Sequence, residues 1–225
     1  MHIASGFLSP PVWGTMAAVS GAALAGSLVV AKRHLDERRV PLMGVMGAFI
    51  FAAQMVNFPI PFVPGTSGHL GGGFLLAILL GAPLSMVAMT SVLVVQALVF
   101  QDGGLEALGA NIFGMGVVPC LLGAAVRGMW LRPRPGRLAD ILTLACGTLG
   151  LVVSATGVIL MLWLSGALPS TVSLAKAILV MDSVHLLIGM VEGVVTVLVV
   201  RFVLATRREA VLGTVEPLGA GEAAA

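Results

Sequence analysis

The sequence predicts an all-α, polytopic membrane protein with seven transmembrane helices. Of its 225 residues, 58% are hydrophobic and only 10% are charged, and the mean hydropathy is +1.08. An ordinary soluble domain is about 45–50% apolar and about 25% charged, and a small soluble domain exposes too much surface to bury such an excess. The net charge is only +2, and the sequence contains no run of basic residues that would neutralise the phosphates of a nucleic acid. This composition disfavours a soluble enzyme, a disordered chain and a nucleic-acid-binding module.

Seven apolar stretches, separated by glycine, proline and charged residues, approach the roughly 20 residues that a helix needs to cross a bilayer. The third and fourth are short and meet near Gly81, and the longer ones must tilt, kink or project. We therefore expect a membrane domain at 1–204 and a disordered cytoplasmic tail at 205–225, where small residues follow no period. The predicted helices cover 12–31, 40–57, 70–86, 83–100, 105–131, 138–164 and 171–204.

The basic residues predict the orientation, because Lys and Arg collect at cytoplasmic helix ends. With seven helices, three basic clusters fall on one side of the membrane and only Lys176 falls on the other. We therefore expect the N-terminus outside and the C-terminus in the cytoplasm. No Lys or Arg precedes the first apolar run, so we also expect no signal peptide and a free amino terminus. The clusters are Lys32, Arg33, Arg38 and Arg39; Arg127, Arg132, Arg134 and Arg137; and Arg201, Arg207 and Arg208.

Two segments on the outer side are not helical by composition. Segment 57–69 holds three prolines and two glycines among apolar residues, which suits neither a helix nor a free loop. Because non-helical backbone at membrane depth is tolerated only against protein or a wet cavity, we expect this loop to fold back over the outer mouth of the bundle. Segment 101–104, Gln-Asp-Gly-Gly, is predicted to be a simple turn.

The start of the chain carries nitrogen atoms that suit a metal ion. The Met1 amine, the His2 amide and the His2 Nδ1 atom can close fused five- and six-membered chelate rings in one plane. His69, at the end of the rigid loop on the same side, is the natural fourth donor. Square-planar nitrogen sets suit Cu(II) or Ni(II), with Co(II) as a neighbouring candidate. The alternative is that His2 is simply an exposed terminal histidine.

The last helix carries Asp182, His185 and Glu192, with Gly189, on one face. Ionisable residues within a span usually face the bundle or a cavity, so these form either a network around a site or pairs that orient helices. Glutamine and asparagine within spans are more often interhelical hydrogen-bonding residues, as we expect for Gln54 and Gln96. The candidate residues around a site cavity are Ser67, Asn111, His185 and Glu192.

The second helix presents Gly44, Ala48 and Ala52 at a spacing of four, which lets another helix approach closely. The sequence contains neither G-x-x-x-x-G-K-[ST] nor H-E-x-x-H. We therefore expect neither a P-loop ATP site nor a zinc protease centre in this chain.

Several blocks of the sequence resemble the cobalt/nickel substrate-binding subunits of energy-coupling-factor transporters, the CbiM/NikM group. They are Met-His-Ile-x-x-Gly-Phe-Leu-Ser-Pro at the start, 40–57, Pro-Gly-Thr-Ser-Gly-His at 64–69, 102–113 and 185–193, in that order. The resemblance implies that Co²⁺ or Ni²⁺ is the transported substrate, held by Met1, His2 and His69, with no organic cofactor. Since no fused auxiliary segment follows, it favours cobalt, supplied for cobalamin biosynthesis.

The same resemblance implies partners, because members of this group do not hydrolyse ATP themselves. A membrane coupling subunit would contact the face formed by Gly44, Ala48 and Ala52, and two cytoplasmic ATPases and a small auxiliary membrane subunit would complete the importer. The chain would be a transporter subunit rather than an enzyme, surrounded by lipid in a bacterial cytoplasmic membrane, with no nucleic-acid partner.

Two other functions remain open from the residues alone. An intramembrane hydrolase would use Ser67 with His69, or the stripe on the last helix, although two residues of one short loop are poorly placed for the required hydrogen bond. A stand-alone secondary permease would be driven by ions through Asp182 and Glu192, and would transport without an ATPase. Ser67→Ala would abolish a hydrolase but leave metal binding by an importer subunit largely intact. A stand-alone permease would transport when the chain is reconstituted alone, whereas an importer subunit would not.

Overall fold

The computed structural model describes residues 1–33, 35 and 39–209, and this part of the chain is mostly helical. It contains seven helices and one short antiparallel hairpin, in which Phe58 lies opposite Gly68. Residues 210–225 of the predicted tail, and Arg38 of the first basic cluster, lie outside the described residues. In chain order the elements are α1 (Pro10–Ala31), α2 (Arg39–Gln54), β1 (Phe58–Pro59), β2 (Ser67–Gly68), α3 (Gly73–Leu80), α4 (Ala82–Phe100), α5 (Leu108–Trp130), α6 (Arg137–Leu164) and α7 (Leu174–Thr206).

Five of these helices, α1, α4, α5, α6 and α7, are long and apolar enough to cross a membrane. α2 is also apolar but has 16 residues. α3 has 8 residues and extends only about 12 Å at the usual rise per residue. The protein is therefore a multi-pass membrane protein in which α3 is too short to cross a bilayer alone.

The third helix is shorter than the predicted span 70–86 and ends near Gly81, where the sequence predicts that the third and fourth stretches meet. Gly81 has a φ of +84°, a left-handed conformation that glycine adopts without strain, and α3 ends there. Pro83 then lies in the first turn of α4, where a helix needs no N–H donor. All eight residues of α3 are buried. The apolar run is thus a short helix inside the bundle rather than a spanning one.

α6 and α7 pack closely against each other, and a glycine on α7 permits the contact. A Cβ atom at Gly189 would lie 2.9 Å from the Thr148 Cα atom of α6, closer than such contacts occur. The same face of α7 buries His185 and Glu192. The close approach at Gly189 therefore holds these two polar side chains against the interior of the bundle.

The small residues of α2 lie on an open face. Gly44, Ala48 and Ala52 are exposed, and no described atom outside the helix's own backbone comes within 4 Å of a Cβ placed on Gly44. Gly44 and Ala48 line an apolar groove of ≈ 440 Å³ whose other wall includes Val92 of α4. Within the described residues, this face has room for another helix.

Candidate metal centre

The first residues of the chain are threaded between two loops at one end of the bundle. Ile3 forms an antiparallel bridge with Thr66 on one side, and on the other its carbonyl accepts a 2.8 Å hydrogen bond from the Gly104 amide. These contacts carry Met1 and His2 into the interior, where they are 2% and 3% exposed. The start of the chain is therefore an inserted segment, and His2 is not an exposed terminal histidine.

The side chain of Asn111 holds this inserted segment from the α5 side. Its Oδ1 atom accepts from the Ile3 amide at 2.8 Å, and its Nδ2 atom donates to the Ile3 carbonyl at 3.2 Å. Asn111 thus pairs with both backbone groups of one residue, as a neighbouring strand would. It lies at the site, as the sequence suggested, but its contacts are with the backbone of the inserted segment.

The Met1 amine meets His69 in the buried interior. The amine nitrogen lies 2.6 Å from His69 Nε2. His69 Nδ1 lies 2.8 Å from the Leu70 carbonyl, which can only accept, so Nδ1 carries the proton and Nε2 keeps a free lone pair. The two imidazole rings of His2 and His69 stack with centroids 4.6 Å apart. His69 is therefore oriented with its lone pair directed at the amine of Met1.

A chain of amide hydrogen bonds fixes the tautomer of His2. The Gly71 carbonyl accepts from Gln54 Nε2 at 2.5 Å, so Gln54 Oε1 faces Gln96 and accepts from Gln96 Nε2 at 2.9 Å. Gln96 Oε1 then lies 3.2 Å from His2 Nε2 and must accept a proton from it. His2 Nε2 is consequently the protonated nitrogen, and His2 Nδ1 carries the lone pair that a metal needs.

Burial removes the protons that would compete for these donors. Desolvation lowers the pKa of the Met1 amine from 8.0 to about 4, although the charges of Asp102 and Glu192 act to raise it. Desolvation, followed by the charge of the amine, lowers the pKa of His2 from 6.5 to about 3. The pKa of His69 is lowered well below 6.5, again chiefly by burial. All three groups are neutral donors at pH 7.

The turn after α4 places a carboxylate beside His2. Asp102 Oδ1 lies 3.3 Å from His2 Nδ1, without the geometry of a hydrogen bond. The other oxygen, Oδ2, accepts from Asn57 Nδ2 at 3.2 Å. Burial raises the pKa of Asp102, while the charge of the Met1 amine opposes that rise. Segment 101–104 is therefore more than the simple turn that its composition predicts.

These contacts bring the three predicted donor residues, Met1, His2 and His69, into one pocket. Adjacent nitrogens around a square-planar ion with bonds of about 2.0 Å lie about 2.8 Å apart, close to the observed 2.6 Å between amine and imidazole. Among the residues that the structure describes, no group of three or more His, Cys, Asp or Glu side chains could hold a metal. A metal here would depend on backbone nitrogens together with the two imidazoles.

Glu192 of α7 holds the backbone that follows His69. Its two carboxylate oxygens accept from the Gly71 and Gly72 amides at 2.6 and 2.8 Å. His185 is buried nearby, with Nδ1 2.8 Å from the Met181 carbonyl and Nε2 without a hydrogen-bond partner among the described residues. Glu192 thus acts on the site through the loop backbone and not by facing the donors.

Asp182, the third ionisable residue of the stripe, is not brought to this pocket. It is partly buried and accepts from Thr156 Oγ1 at 2.9–3.0 Å across the α6–α7 contact. It lines a separate open groove of ≈ 530 Å³ with Leu179 and Leu186. Of the two interpretations left open for the stripe, Asp182 fits the pairing of two helices, whereas Glu192 belongs to the site.

Ser67 and His69 are not joined as a hydrolase would require. Ser67 Oγ is buried and has no hydrogen-bond partner among the residues that the structure describes. His69 Nε2, the nitrogen that would have to activate the serine, instead contacts the Met1 amine. The loop therefore presents His69 to the start of the chain and leaves Ser67 beside it without a catalytic partner.

Comparisons with known proteins show similarity to metal transport proteins. A family model described as CbiM, cobalt uptake substrate-specific transmembrane region, matches residues 2–210. A protein of Haloquadratum walsbyi named "Putative metal transport protein" is 38% identical over 211 residues, 94% of this chain and 93% of the relative. An Archaeoglobus fulgidus protein named "Putative fused nickel transport protein NikMN" is 36% identical over 211 residues, 94% of this chain and 68% of the relative.

A solved structure gives the same result for the fold. A crystal structure described as a truncated transition metal transporter superposes with a TM-score of 0.78 at 32% identity, covering 91% of this chain and 99% of the other. The similarity in fold therefore extends over about nine-tenths of this chain.

Proposed function

Because the chain belongs to the CbiM family of transmembrane components for cobalt uptake, we propose that it is the substrate-specificity subunit of an energy-coupling-factor importer. In this role it captures a divalent transition-metal ion on the outer side of the membrane and delivers it inward. The family consists of components of metal transporters and not of enzymes. Co²⁺ is the proposed substrate, with Ni²⁺ as the second candidate, and the cobalt would supply cobalamin biosynthesis.

The contact between the Met1 amine and His69 Nε2 carries this proposal. In it, the ion is held by the amine of Met1, the amide nitrogen and Nδ1 of His2, and Nε2 of His69. The amine and both imidazoles already have free lone pairs at neutral pH, and the amide gives up its proton only when the metal replaces it. A planar set of four nitrogens disfavours Zn(II), which prefers a tetrahedron. Cu(II) would bind more tightly and must be excluded by availability.

The proposed importer needs partners, because this sequence has no P-loop ATP site. An N-terminus on the outer side and a C-terminus in the cytoplasm would place the pocket at the outer surface and the basic clusters in the cytoplasm. The open face of Gly44, Ala48 and Ala52 would receive the membrane coupling subunit, to which two cytoplasmic ATPases and a small auxiliary membrane subunit would be added. This arrangement fits a cytoplasmic membrane of a prokaryotic cell.

The test is metal binding by purified protein with its native start, compared with two variants that carry the same five-residue extension at one end or the other. We expect Co²⁺ and Ni²⁺ to bind the native protein and the variant extended at the C-terminus. Extension before Met1 should abolish binding, because it converts the amine into an amide and cannot fit in the buried pocket. Equal binding by all three proteins would place the ion elsewhere.

A further inference from the structure

We propose that Asp102 is an affinity-determining residue of the metal site, whose carboxylate offsets the charge of the bound divalent ion without coordinating it. This inference rests on the proposed function, since it concerns the same pocket. It adds a residue on the turn between α4 and α5, which lies outside the four-nitrogen donor set.

The positions of His2 and Asp102 support this proposal. The hydrogen bonds through Gln54 and Gln96 put the proton of His2 on Nε2, so Nδ1 presents a lone pair. Asp102 Oδ1, which also can only accept, lies 3.3 Å from that lone pair. Two acceptors facing each other in a largely buried place repel, and neither has a proton to share. A cation bound at His2 Nδ1 converts this repulsion into attraction.

The charge of the site with a bound ion also supports a role for Asp102. A divalent ion that displaces one amide proton leaves a net charge of +1 on the four-nitrogen complex. Met1 and His69 are each 2% exposed, and an uncompensated buried charge is strongly unfavourable. The Asp102 carboxylate lies beside His2 Nδ1 and offsets this charge. Glu192 also acts on the Met1 amine, but its oxygens accept from the Gly71 and Gly72 amides and do not face the donor atoms.

The surroundings of Asp102 hold the carboxylate in this position. The Asp102 amide donates to the Gln96 carbonyl at 3.1 Å, and Asn57 Nδ2 donates to Oδ2 at 3.2 Å. Oδ1 is thereby left free on the side of His2. Asp102 also remains partly open to solvent, with 19% of its side chain exposed, so an arriving ion can reach the carboxylate.

The experiment compares the native protein with Asp102→Asn, and with Glu106→Gln as the matched control. Glu106 is a neighbouring acid that accepts from the Gly6 amide and does not face His2 Nδ1. Co²⁺ and Ni²⁺ affinities are measured by titration calorimetry, and the visible absorption spectrum of the Ni²⁺-loaded protein reports the donor set. We expect Asp102→Asn to weaken binding roughly 10- to 100-fold, the range found for groups behind metal ligands, with the spectrum unchanged. Glu106→Gln should change neither.

Three results would overturn the inference. Unchanged affinity in Asp102→Asn would show that the charge is not needed, and a changed spectrum would show that Asp102 is itself a ligand. An oxygen donor in the X-ray absorption spectrum of the native loaded protein would do the same without any variant. If the native protein binds no metal at all, the proposed function fails instead, so the two failures are distinguishable.

Discussion

The Met1 amine nitrogen lies 2.6 Å from His69 Nε2, although 68 positions separate the two residues in the chain. Each partner is placed by a different part of the bundle: Asn111 of α5 holds the backbone after Met1, and Glu192 of α7 holds the backbone after His69. Each segment alone supplies only part of the proposed donor set, so the complete pocket forms only in the folded bundle.

Removing the imidazole of His69 tests the fourth donor. His69→Ala leaves the three nitrogens of the chain start but opens one position of the square. We expect Co²⁺ and Ni²⁺ affinity to fall by at least about 100-fold, the upper end of the effect of outer partners, as measured by titration calorimetry. Ser67→Ala on the same loop is the control and should bind normally. A hydrolase using Ser67 with His69 would instead lose its activity in Ser67→Ala.

Removing the hydrogen bond from His2 to Gln96 tests whether metal binding depends on the tautomer of His2. In Gln96→Leu, His2 Nε2 loses its acceptor, so the proton can move to Nδ1 and block that donor. We expect metal affinity to fall roughly 10- to 100-fold, as for other partners that orient a ligating histidine. The control is Gln101→Asn, at an exposed position. Asparagine tolerates the left-handed backbone conformation found there, so this variant should bind the metal as the native protein does. Equal affinities for both variants would contradict the assignment.

The pH dependence of binding reports which protons the ion displaces. In the inserted segment the pKa of the Met1 amine is about 4 and that of His2 about 3, so these groups release no proton between pH 6 and 8. Only the His2 amide does so, which predicts a loss of about tenfold in affinity for each unit by which the pH falls. Calorimetry in buffers of different ionisation enthalpy should count one proton per ion. A flat profile would argue against amide ligation.

Acid should also release the inserted segment itself. The pKa of the Met1 amine is lowered on insertion. The amine of the free segment is therefore protonated below pH 8, whereas the amine of the inserted segment is protonated only below about pH 4. By linkage, insertion is strongest above pH 8 and weakens as the pH falls toward 4. Amide hydrogen exchange at Ile3 should therefore become faster as the pH is lowered, relative to its intrinsic rate, while exchange at buried positions of α3 should not.

The contact between α6 and α7 can be tested by one pair of alanine substitutions. Gly189→Ala places a Cβ 2.9 Å from the Thr148 Cα atom, so the helices must separate. We expect a loss of about 1–3 kcal/mol in the free energy of unfolding, seen as a lower Tm in detergent. Gly157→Ala on α6, where a Cβ would meet nothing within 4 Å, should leave the Tm equal or higher. Equal Tm values would mean that the contact yields easily.

The sequence predicts much of the fold because composition and length determine which segments enter a bilayer. Hydropathy cannot distinguish a lipid-facing helix from a short buried one, so 70–86 is predicted as a membrane span, although the helix there has only eight residues and ends before Gly81. The donors Met1, His2 and His69 are predictable because their chelate geometry is local. Asp102 is missed, since Asp-Gly-Gly has the composition of an ordinary turn, and only tertiary contact brings it to His2.

The position of α3 affects whether metal ions could leak through the protein. The eight residues of this helix begin four positions after His69 and carry only apolar side chains or none. An ion in the proposed pocket would find no donor atom on the side chains of this helix, and an unpaired charge among apolar side chains is strongly unfavourable. For the proposed importer, α3 would therefore act as an apolar barrier to the ion in this direction. Such a barrier would limit passive leakage of metal ions through the subunit.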